Sequence, residues 1–397
     1  FYWGSIGQNP LNEQFLGGAQ DNGSNFITSV FSGTSLADEI SGGDGAYNFI
    51  DKDGEYLISS YTGNTYYRFD LPITDGPSTI VSKGDEGDFI NPAELDDNLD
   101  ILYTNGSSSA GFQISRFTNL SLNSPTRTNL FNPLLNRSPT ALKASPFSLN
   151  STNLFVGTDS GRLLKISNAN SSAVWSDISG LEFIGSISAI NFGANEDEII
   201  VTFHNYGVIS IWFTQDGGST WQNKEGNFPD IPIKAIMMNP LLNDEVIIGT
   251  DLGVWRTSNF KGNNPIWVQS QNGMQNVKVT SFDLRTVDNT VLASTYGRGF
   301  FIGQFTDAIL ATERVSSIQD DISIFPNPSS GTINVKSLNN LGPANLDIYD
   351  VNGRKVYSRK ENISGTFRLN LTNLSDGLYI LNIKGDNFRV NKKILIE

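Results

Sequence analysis

The sequence predicts an all-β protein in which a seven-bladed β-propeller is followed by a small β-sandwich. Three observations support this fold class: a glycine-containing turn recurs along the chain, a tryptophan keeps the same spacing, and no segment has the periodicity of a long helix. A fixed period of a few tens of residues marks a chain that is built from repeated structural units.

The recurring turn contains one glycine in each repeat. The seven turn glycines are Gly23, Gly63, Gly111, Gly161, Gly207, Gly253 and Gly299. The last four of them are 46 residues apart, and the earlier spacings are 40, 48 and 50 residues. Trp175, Trp221 and Trp267 each follow a turn glycine by 14 residues, so two features share one period.

Each repeat contains short apolar runs on both sides of its turn, such as Asn153–Val156 and Leu163–Ile166. Additional upstream runs, again 46 residues apart, are Ile187–Ile190, Ile233–Ile236 and Val279–Phe282. Runs that are rich in β-branched residues and bounded by Gly, Asn and Asp predict strands joined by hairpins. A propeller blade requires three or four such strands, so residues 1–305 are predicted to form the propeller.

Two parts of the propeller region depart from the repeat. The aromatic residues Phe1–Trp3 are predicted to form an outer strand that completes the last blade. Residues 115–150 are rich in Ser, Thr, Asn and Pro, so we expect a long loop or an irregular blade there.

The composition limits the classes of function. The chain has 27 basic and 41 acidic residues, so no nucleic-acid partner is predicted, because phosphate binding needs clustered Lys and Arg. It has no cysteine, which excludes disulfides and thiolate metal sites. The single histidine, His204, excludes multi-histidine zinc sites and any Ser-His-Asp triad that does not use it. We interpret His204 as a packing or loop residue.

No segment approaches the roughly 18 consecutive apolar residues of a transmembrane helix, so no membrane span is predicted. The chain begins with Phe1-Tyr-Trp3, without Met or a leader pattern, and we expect a mature or truncated form. One hypothesis is therefore that the chain is the C-terminal piece of a longer multi-propeller protein.

The repeat stops after Phe305. Residues 306–321 have no period-2 pattern and are predicted to be a linker. Seven short alternating runs follow in residues 322–397, which predicts a small immunoglobulin-like β-sandwich. Residues 322–397 have 10 basic and 6 acidic side chains, against 17 and 35 before them, so the net charge changes sign near the predicted boundary.

One turn matches the Asp-box pattern of Ser or Thr, Asp, Gly, Thr and Trp at fixed positions. The matching residues are Thr214, Asp216, Gly218, Thr220 and Trp221. In such a turn the Asp accepts amide hydrogen bonds, the Gly takes a left-handed conformation and the Trp packs against the hairpin. The region therefore resembles the sialidase-like, xyloglucanase-like and sortilin-like propellers with Asp-box (BNR) repeats. We interpret Asp216 as structural.

Four motifs of the tail, in the same order, resemble the type A C-terminal sorting domain of the type IX secretion system of Bacteroidota. These motifs are Phe325-Pro326-Asn327-Pro328 with Gly331, Asp350 with Gly353 and Arg354, Gly377 with Tyr379, and Lys392 with Lys393.

The resemblance implies a secreted or cell-surface cargo protein. A translocon in the outer membrane would recognise residues 322–397, and an outer-membrane barrel shuttle would then collect the chain. A small sandwich with exposed edge strands and a basic last strand would be recognised through strand addition and charge pairing.

The only catalytic candidates are Asp21 and Asp44, which lie in Gly-rich turns of adjacent repeats. Glycosidases need two carboxyl groups about 5 to 10 Å apart. Xyloglucanase-like enzymes place theirs between two propellers, and one propeller is predicted here, so we interpret both residues as turn residues. Asp51, Asp53 and Glu55 resemble part of a calcium loop whose other positions are missing, so we predict a turn and no cofactor, with calcium as the alternative.

Two functions remain open for the propeller. The first is a non-catalytic binding or adhesion module, in which aromatic residues such as Tyr61, Trp212 and Tyr296 contact a polysaccharide or protein ligand. The second is a glycoside hydrolase of xyloglucanase-like or sialidase-like type, which needs converging carboxylates or an arginine trio. The available arginines, each inside a repeat hairpin, are Arg68, Arg162, Arg256 and Arg298.

Overall fold

The computed structural model describes residues 1–28, 36–270, 273–274, 276–307, 322–337, 340–350, 353–385 and 389–397. Across these ranges the secondary structure consists of β-strands, and no helix is long and apolar enough to cross a membrane. The chain divides into two compact units, Phe1–Asp307 and Ala308–Glu397. The predicted all-β fold class is confirmed. Most of the predicted linker, residues 308–321, lies outside the described residues.

The first unit is a ring of seven antiparallel sheets, in each of which consecutive strands pair with one another. Blade 1 consists of β1 (Trp3–Ile6), β2 (Phe15–Gly18), β3 (Ser24–Ile27) and β4 (Asp38–Ser41). Blade 2 consists of β5 (Phe49–Ile50), β6 (Tyr56–Ser60), β7 (Asn64–Asp70) and β8 (Ser78–Lys83). Blade 3 consists of β9 (Ala93–Asp96), β10 (Ile101–Asn105), β11 (Ile114–Thr118) and β12 (Thr126–Leu130).

The remaining four blades continue the same meander. Blade 4 consists of β13 (Pro139–Ala144), β14 (Leu154–Thr158), β15 (Leu163–Ser167) and β16 (Val174–Asp177). Blade 5 consists of β17 (Ile187–Phe192), β18 (Ile199–Phe203), β19 (Ile211–Thr214) and β20 (Gln222–Asn223). Blade 6 consists of β21 (Ile233–Met238), β22 (Val246–Thr250), β23 (Gly253–Thr257) and β24 (Val268–Gln269). Blade 7, within the described residues, consists of β25 (Val279–Arg285), β26 (Thr290–Thr295) and β27 (Gly299–Gln304).

All seven turn glycines lie where the second strand of a blade turns into the third. Each has a positive φ, from 61° at Gly23 to 138° at Gly111. Because residues with a Cβ rarely adopt this conformation, glycine is the favoured residue at these turns. The 46-residue period of the sequence therefore corresponds to one hairpin turn per blade.

The first strands of the blades line the centre of the ring. The strand β13 contacts β17, β17 contacts β21, β21 contacts β25, and β25 contacts β1, which closes the ring. The apolar core lies between blades: each of seven buried clusters joins residues from two neighbouring sheets. The cluster between blades 7 and 1 is the smallest of them, with Ile6, Phe15 and Leu292 as its buried members.

The prediction that Phe1–Trp3 forms an outer strand of the last blade is wrong. Residue Trp3 begins β1, the innermost strand of blade 1, where it is paired with Gly18 of β2. The side chain of Phe1 instead stacks on Phe300 of blade 7, with ring centroids 4.3 Å apart. Ring closure thus rests on packing and hydrogen bonds between two sheets, among them Ile6 N–H to Asp283 Oδ2 at 2.8 Å.

The prediction of a long loop or irregular blade over residues 115–150 is also wrong. The region contains the regular strands β11, β12 and the start of blade 4, β13, and β11 pairs with β12 in unbroken register from Ile114 to Thr118. The polar composition has another cause: β12 is the outer strand of its blade, and most of its side chains are exposed or half-buried. An outer strand can be polar without losing its hydrogen-bonded ladder.

The tail unit is a sandwich of two sheets, with strand orders β28-β29-β32 and β31-β30-β33-β34. Its strands are β28 (Ile322–Phe325), β29 (Thr332–Ser337), β30 (Gly342–Tyr349), β31 (Lys355–Ile363), β32 (Thr366–Asn370), β33 (Gly377–Gly385) and β34 (Arg389–Ile396). One buried cluster fills the space between the sheets, including Ile333, Leu346, Leu369 and Leu381. The predicted β-sandwich is confirmed.

Candidate functional site

Two adjoining cavities occupy the centre of the propeller. One, of about 360 Å³, lies where the inner strands begin and is called the start-side cavity. The other, of about 420 Å³, lies towards the ends of the same strands and is called the end-side cavity. Trp3, Tyr47, Ser188 and Lys234 line both.

Four inner strands have an irregularity at the same place, where they border the start-side cavity. The register with the second strand shifts once in each of β13, β17, β21 and β25. The residues inside the shifts are Thr140, Ser188, Lys234 and Thr280, and all four line the start-side cavity. A β-bulge re-aims a side chain, so the fold presents the same repeat position to the cavity in four blades.

Three of these four positions have hydroxyl side chains that are hydrogen-bonded. Thr140 Oγ1 donates to the Ile187 carbonyl at 2.7 Å, and Thr280 Oγ1 donates to the Phe1 carbonyl at 3.0 Å. Ser188 Oγ lies 3.0 Å from Thr202 Oγ1. These hydroxyls therefore bond within the wall of the cavity. Thr140 reaches the inner strand of the next blade, and Thr280 reaches the residue two positions before β1.

Lys234 stands at the fourth of these positions and breaks the pattern. Within the part of the chain that the structure describes, its amine has no hydrogen-bond or ion-pair partner. Burial and, to a smaller extent, repulsion from Lys278 lower the pKa of Lys234 to about 8, although attraction to Asp251 partly opposes them. The charge of Lys278 is itself paired with Asp251 at 3.1 Å. Lys234 thus offers an uncompensated amine to the cavity.

The single histidine also faces the start-side cavity. His204 follows β18, and its main-chain N–H donates to the Ser186 carbonyl at 3.0 Å. The Nε2 atom is buried and has no hydrogen-bond partner among the described residues. His204 is half-buried in a loop, and its side chain adds a second unsatisfied polar group to the cavity wall.

Aromatic residues border the same cavity. Tyr2 and Tyr296 both donate their hydroxyls to Gln20 Oε1, at 2.6 and 3.0 Å, and their rings lie 6.0 Å apart. Trp3 and Tyr47 stack with ring centroids 4.4 Å apart. Burial raises the pKa of the Tyr2 hydroxyl, and the charges nearby raise it further. Flat faces and hydroxyl groups therefore alternate around the cavity.

The catalytic candidates Asp21 and Asp44 lie next to each other near this end of the channel. The Asp21 main-chain N–H donates to Asp44 Oδ1 at 2.9 Å, and Asp21 has a φ of 57°. One carboxylate oxygen of Asp44 thus braces the turn that contains Asp21. Such a contact is typical of a carboxylate in a turn.

The structure brings no arginine trio together in the positions considered from the sequence. Arg68 pairs with Asp70 at 2.6 Å and Arg162 with Asp177 at 3.3 Å. Of the aromatic candidates, Trp212 is buried whereas Tyr61 and Tyr296 are exposed. Tyr296 is therefore the aromatic candidate that both lines the cavity and is open to solvent.

The end-side cavity contains a lysine between two carboxylates. Lys143 Nζ lies 2.8 Å from Glu94 Oε1, while Asp283 accepts hydrogen bonds from the main-chain N–H groups of Ile6 and Leu284. Burial raises the pKa of Glu94 and of Asp283, and Lys143 opposes that effect in both cases. Glu94 and Lys143 thus form an ion pair between blades 3 and 4, and main-chain N–H groups satisfy Asp283 of blade 7.

The Asp-box match forms a closed turn between β19 and β20. Asp216 Oδ1 accepts hydrogen bonds from Thr214 Oγ1 at 2.7 Å and from the Thr220 N–H at 2.8 Å. Hydrogen bonds from Thr220 and Thr214 lower the pKa of Asp216 to about 2. Gly218 has a φ of 94°, and Trp221 donates its indole N–H to the Ile178 carbonyl of blade 4. The contacts of Asp216 all lie within its own turn.

The segment that resembles a calcium loop is a turn between β5 and β6. Asp51 is buried, and its Oδ2 accepts the Glu55 N–H at 3.0 Å. Burial raises the pKa of the neighbouring Asp97 to about 8, and Asp51 contributes to that rise. No cluster of three metal-ligating side chains occurs in the described ranges.

In the tail, the first and last motifs meet. Asn327 Nδ2 donates to the Lys393 carbonyl at 2.9 Å, and the Leu395 N–H donates to Asn327 Oδ1 at 2.8 Å. The Ser329 N–H donates to the Leu395 carbonyl at 2.9 Å. The outer side of β34 is therefore covered from Lys393 onward. Lys392 and Lys393 remain half-buried and exposed, respectively.

The middle motifs of the tail form turns. The Arg354 N–H and Nε donate to the two carboxylate oxygens of Asp350, at 3.0 and 3.1 Å. Gly353 has a φ of 78° and Gly331 a φ of 96°. Tyr379, two residues after Gly377 at the start of β33, is buried and donates its hydroxyl to the Ser375 carbonyl at 2.8 Å.

Sequence reasoning missed Lys234 and Lys278 as cavity residues. A signal was present, since Ser188, Lys234 and Thr280 are 46 residues apart and only one of them is charged. The charge of Lys234 at this repeat position indicates a cavity residue only once the β-bulge is known, because the bulge turns the side chain at this position towards the cavity.

Comparison with known proteins identifies the tail. Residues 323–397 match the family model described as a secretion system C-terminal sorting domain. The chain thus has a type IX sorting signal, interacts with the secretion machinery, and is exported to the cell surface or outside the cell. No curated protein matches the chain.

A solved structure supports the propeller fold. The β-propeller domain of Cps50 (Swd1) from Myceliophteria thermophila aligns with a TM-score of 0.54 at 12% identity, over 77% of this chain and 97% of that one. PorZ, an essential bacterial surface component of the type-IX secretion system of Porphyromonas gingivalis, aligns with a TM-score of 0.37 at 14% identity. That alignment covers 100% of this chain and 51% of PorZ, so the chain spans about half the length of PorZ.

Proposed function

We propose that this exported chain is a non-catalytic binding protein whose propeller takes a polysaccharide or protein ligand at the start-side cavity. The observation that supports this role is the unpaired amine of Lys234 among aromatic faces and the unsatisfied Nε2 of His204. Binding sites commonly combine an apolar wall with a few polar groups that lack a partner within the protein. A polysaccharide is the favoured ligand, because an exported protein meets polysaccharides outside the cell. The Thr214–Trp221 turn supports an Asp-box type of propeller.

The carboxylates near this cavity have contacts that support structural roles. Asp44 braces the turn of Asp21, and Asp88 accepts hydrogen bonds from Asn105 and Ser138, both at 3.1 Å. A glycosidase needs one protonated and one charged carboxyl group that face the same bond. Carboxylates engaged with their own turns favour binding over hydrolysis.

A second candidate function, glycoside hydrolysis, is favoured by one observation. Glu94 and Asp283 both line the end-side cavity, and burial raises the pKa of each. Raised carboxyl pKa values are a property of general acids. Hydrolysis at this site would require the substrate to displace Lys143 from Glu94.

The test exposes the purified full chain to a panel of plant, bacterial and host polysaccharides and measures retention together with reducing-sugar release. We expect retention on at least one polysaccharide without release. Tyr296→Ala should abolish retention because Tyr296 is exposed at the cavity, whereas Phe131→Ala, an exposed aromatic after the outer strand β12, should not. Release that disappears in Glu94→Gln, Asp21→Asn or Asp44→Asn would instead establish a hydrolase and identify its acid.

We further propose that the tail contacts the type IX translocon and its outer-membrane barrel shuttle through the basic end of β34. The Asn327 contacts cover the main chain of β34 there, so the exposed charge of Lys393 is the accessible feature. In a cell with this secretion system, Lys392→Glu with Lys393→Glu should leave the chain in the periplasm. Fractionation that finds this variant at the cell surface in normal amount would reject the charge contact.

A further inference from the structure

The departure of Lys234 from its repeat position points to the charge of the ligand. In blades 4, 5 and 7 this position has a hydroxyl that is bonded within the cavity wall, and in blade 6 it has an amine with no partner in the described part of the chain. A partly buried amine without a counter-charge is unfavourable in the free protein. This unfavourable burial occurs in blade 6, and a bound anion would remove the penalty by supplying the missing counter-charge.

The charged groups around the Lys234 amine indicate that the site accepts a ligand with one negative charge. The other titratable groups that line the start-side cavity are Asp88, His204, Lys278 and the phenols of Tyr2, Tyr47 and Tyr296. Asp251 acts on the Lys234 amine, and Asp21 and Asp44 act on Tyr2. Asp251 is already paired with Lys278, and Asp88 accepts two hydrogen bonds from neutral side chains. Asp251 therefore attracts Lys234 only from a distance, and no carboxylate of the described residues forms an ion pair with it. A single unpaired amine suits a singly charged carboxylate better than a doubly charged phosphate, which would need more donors.

The rest of the cavity suits a sugar ring. Its volume of about 360 Å³ is at the small end of ligand pockets, which is enough for one or two rings. The stacked pair of Trp3 and Tyr47 gives a flat apolar face beside Lys234. The buried Nε2 of His204 has no hydrogen-bond partner among the described residues, so it lacks a partner that a ligand hydroxyl would supply.

We propose that the start-side cavity binds a uronic acid residue of an acidic polysaccharide, with the sugar carboxylate paired to Lys234. This inference rests on the proposed binding function and specifies its ligand class. The sugar ring lies against Trp3 and Tyr47, and the carboxylate replaces the partner that Lys234 lacks. The protein has a net charge of −14, which repels anions in general, so this cavity would be a local site at which an anion binds.

The experiment is isothermal titration of the full chain with D-glucuronate and D-galacturonate, compared with D-glucose, acetate and inorganic phosphate. We expect a uronate to bind at least tenfold more tightly than glucose, acetate or phosphate. Lys234→Thr should weaken uronate binding at least tenfold, and it should fold, because threonine occupies the equivalent position in two blades. Lys83→Thr, which removes an exposed lysine at the end of β8, should leave the affinity unchanged.

The pH dependence gives a second readout. The amine must be protonated to pair with a carboxylate, and its pKa in the free protein is about 8. Uronate affinity should therefore be constant below pH 7 and fall by up to tenfold per pH unit above about 8, and Lys234→Thr should lose this dependence.

Several results would overturn the proposal. These are equal uronate affinity in the parent and Lys234→Thr, equal binding of glucose and uronate, acetate binding as tight as uronate, or tighter binding of phosphate. If uronates fail to bind while a polysaccharide is still retained through Tyr296, the uronate inference fails and the binding function stands. If uronates do not bind and no polysaccharide is retained, both the uronate inference and the binding function fail.

Discussion

The indole Nε1 of Trp267 donates a hydrogen bond of 3.0 Å to the main-chain carbonyl of Lys224 in the preceding blade. Lys224 lies three residues after Trp221, and Trp221 makes the same contact one blade earlier, to Ile178 at 3.0 Å. Ile178 in turn lies three residues after Trp175. The 46-residue spacing of the tryptophans is therefore the spacing of a hydrogen bond that joins neighbouring blades.

Trp267→Phe should destabilise the propeller by about 2 to 3 kcal/mol, since it leaves a buried carbonyl unpaired and a partial cavity behind. Trp267 is among the largest fully buried side chains, at 1% exposure. Urea unfolding followed by near-ultraviolet circular dichroism measures the change. Trp175→Phe is the matched control: this indole is half-buried and makes no hydrogen bond within the described residues, so we expect a loss below about 1 kcal/mol. Equal losses in both variants would contradict the role of the hydrogen bond.

The repeat was readable from the sequence because its determinants are local. A turn that requires positive φ selects glycine at Gly161 and Gly207, and the tryptophan 14 residues later fills an equivalent place in each blade. The way the ring closes was not readable: the sequence suggested that Phe1–Trp3 lies beside the last blade, but nothing in its local pattern shows that Trp3 begins the inner strand of blade 1. The cavity position of Lys234 was likewise hidden, since a bulge decides which way a side chain points.

Gly18→Ala should destabilise the propeller by about 2 to 3 kcal/mol, because the added methyl group meets rigid main chain. A Cβ at Gly18 would lie 2.3 Å from the Ala46 carbonyl oxygen and 2.5 Å from the Ala46 nitrogen. Gly303→Ala is the control: Gly303 is also in a strand, and a Cβ there would have no atom within 4 Å. Thermal unfolding of both variants decides the matter. If Gly18→Ala is as stable as Gly303→Ala, the main chains at Gly18 and Ala46 are not as close as these distances indicate.

The stability of the propeller should fall as the pH drops from about 4.5 to 2, partly through Glu196. Burial alone would raise the pKa of Glu196, but hydrogen bonds from Lys165 at 2.7 Å, Asn153 and Ser148 outweigh it and lower the pKa to about 2. A carboxyl group whose pKa is lower in the folded state stabilises that state above its unfolded pKa, and the contribution disappears as the folded form is protonated.

Glu196→Gln should therefore flatten this part of the pH profile. Because the side chain is partly exposed, solvent screening limits the loss at pH 7 to about 1 kcal/mol or less. Urea midpoints at pH 7, 4 and 2.5 measure the effect. Glu182→Gln serves as the control, since Glu182 is exposed and has no partner in the described ranges, and its profile should match that of the parent. If the stability of Glu196→Gln depends on pH in the same way as that of the parent, Glu196 does not contribute to the loss of stability at low pH.

Asn327→Ala should open the outer side of the last strand of the tail. Asn327 Oδ1 accepts a hydrogen bond from the Leu395 N–H at 2.8 Å, and its Nδ2 donates to the Lys393 carbonyl at 2.9 Å. These main-chain groups of β34 are therefore not available to pair with another strand. Loss of these two hydrogen bonds on an exposed residue should cost about 1 kcal/mol of tail stability. The Leu395 amide proton should exchange with solvent at least tenfold faster, which hydrogen exchange by NMR measures directly.

The matched control is Asn345→Ala, because Asn345 is exposed on β30 and its side chain has no hydrogen-bond partner in the described part of the tail. Its Leu395 exchange rate should equal that of the parent. An unchanged rate in Asn327→Ala would mean that other groups protect this edge. A faster rate together with dimerisation of Asn327→Ala would mean that the Phe325–Pro328 motif keeps the last strand from pairing with other chains until the secretion machinery binds it.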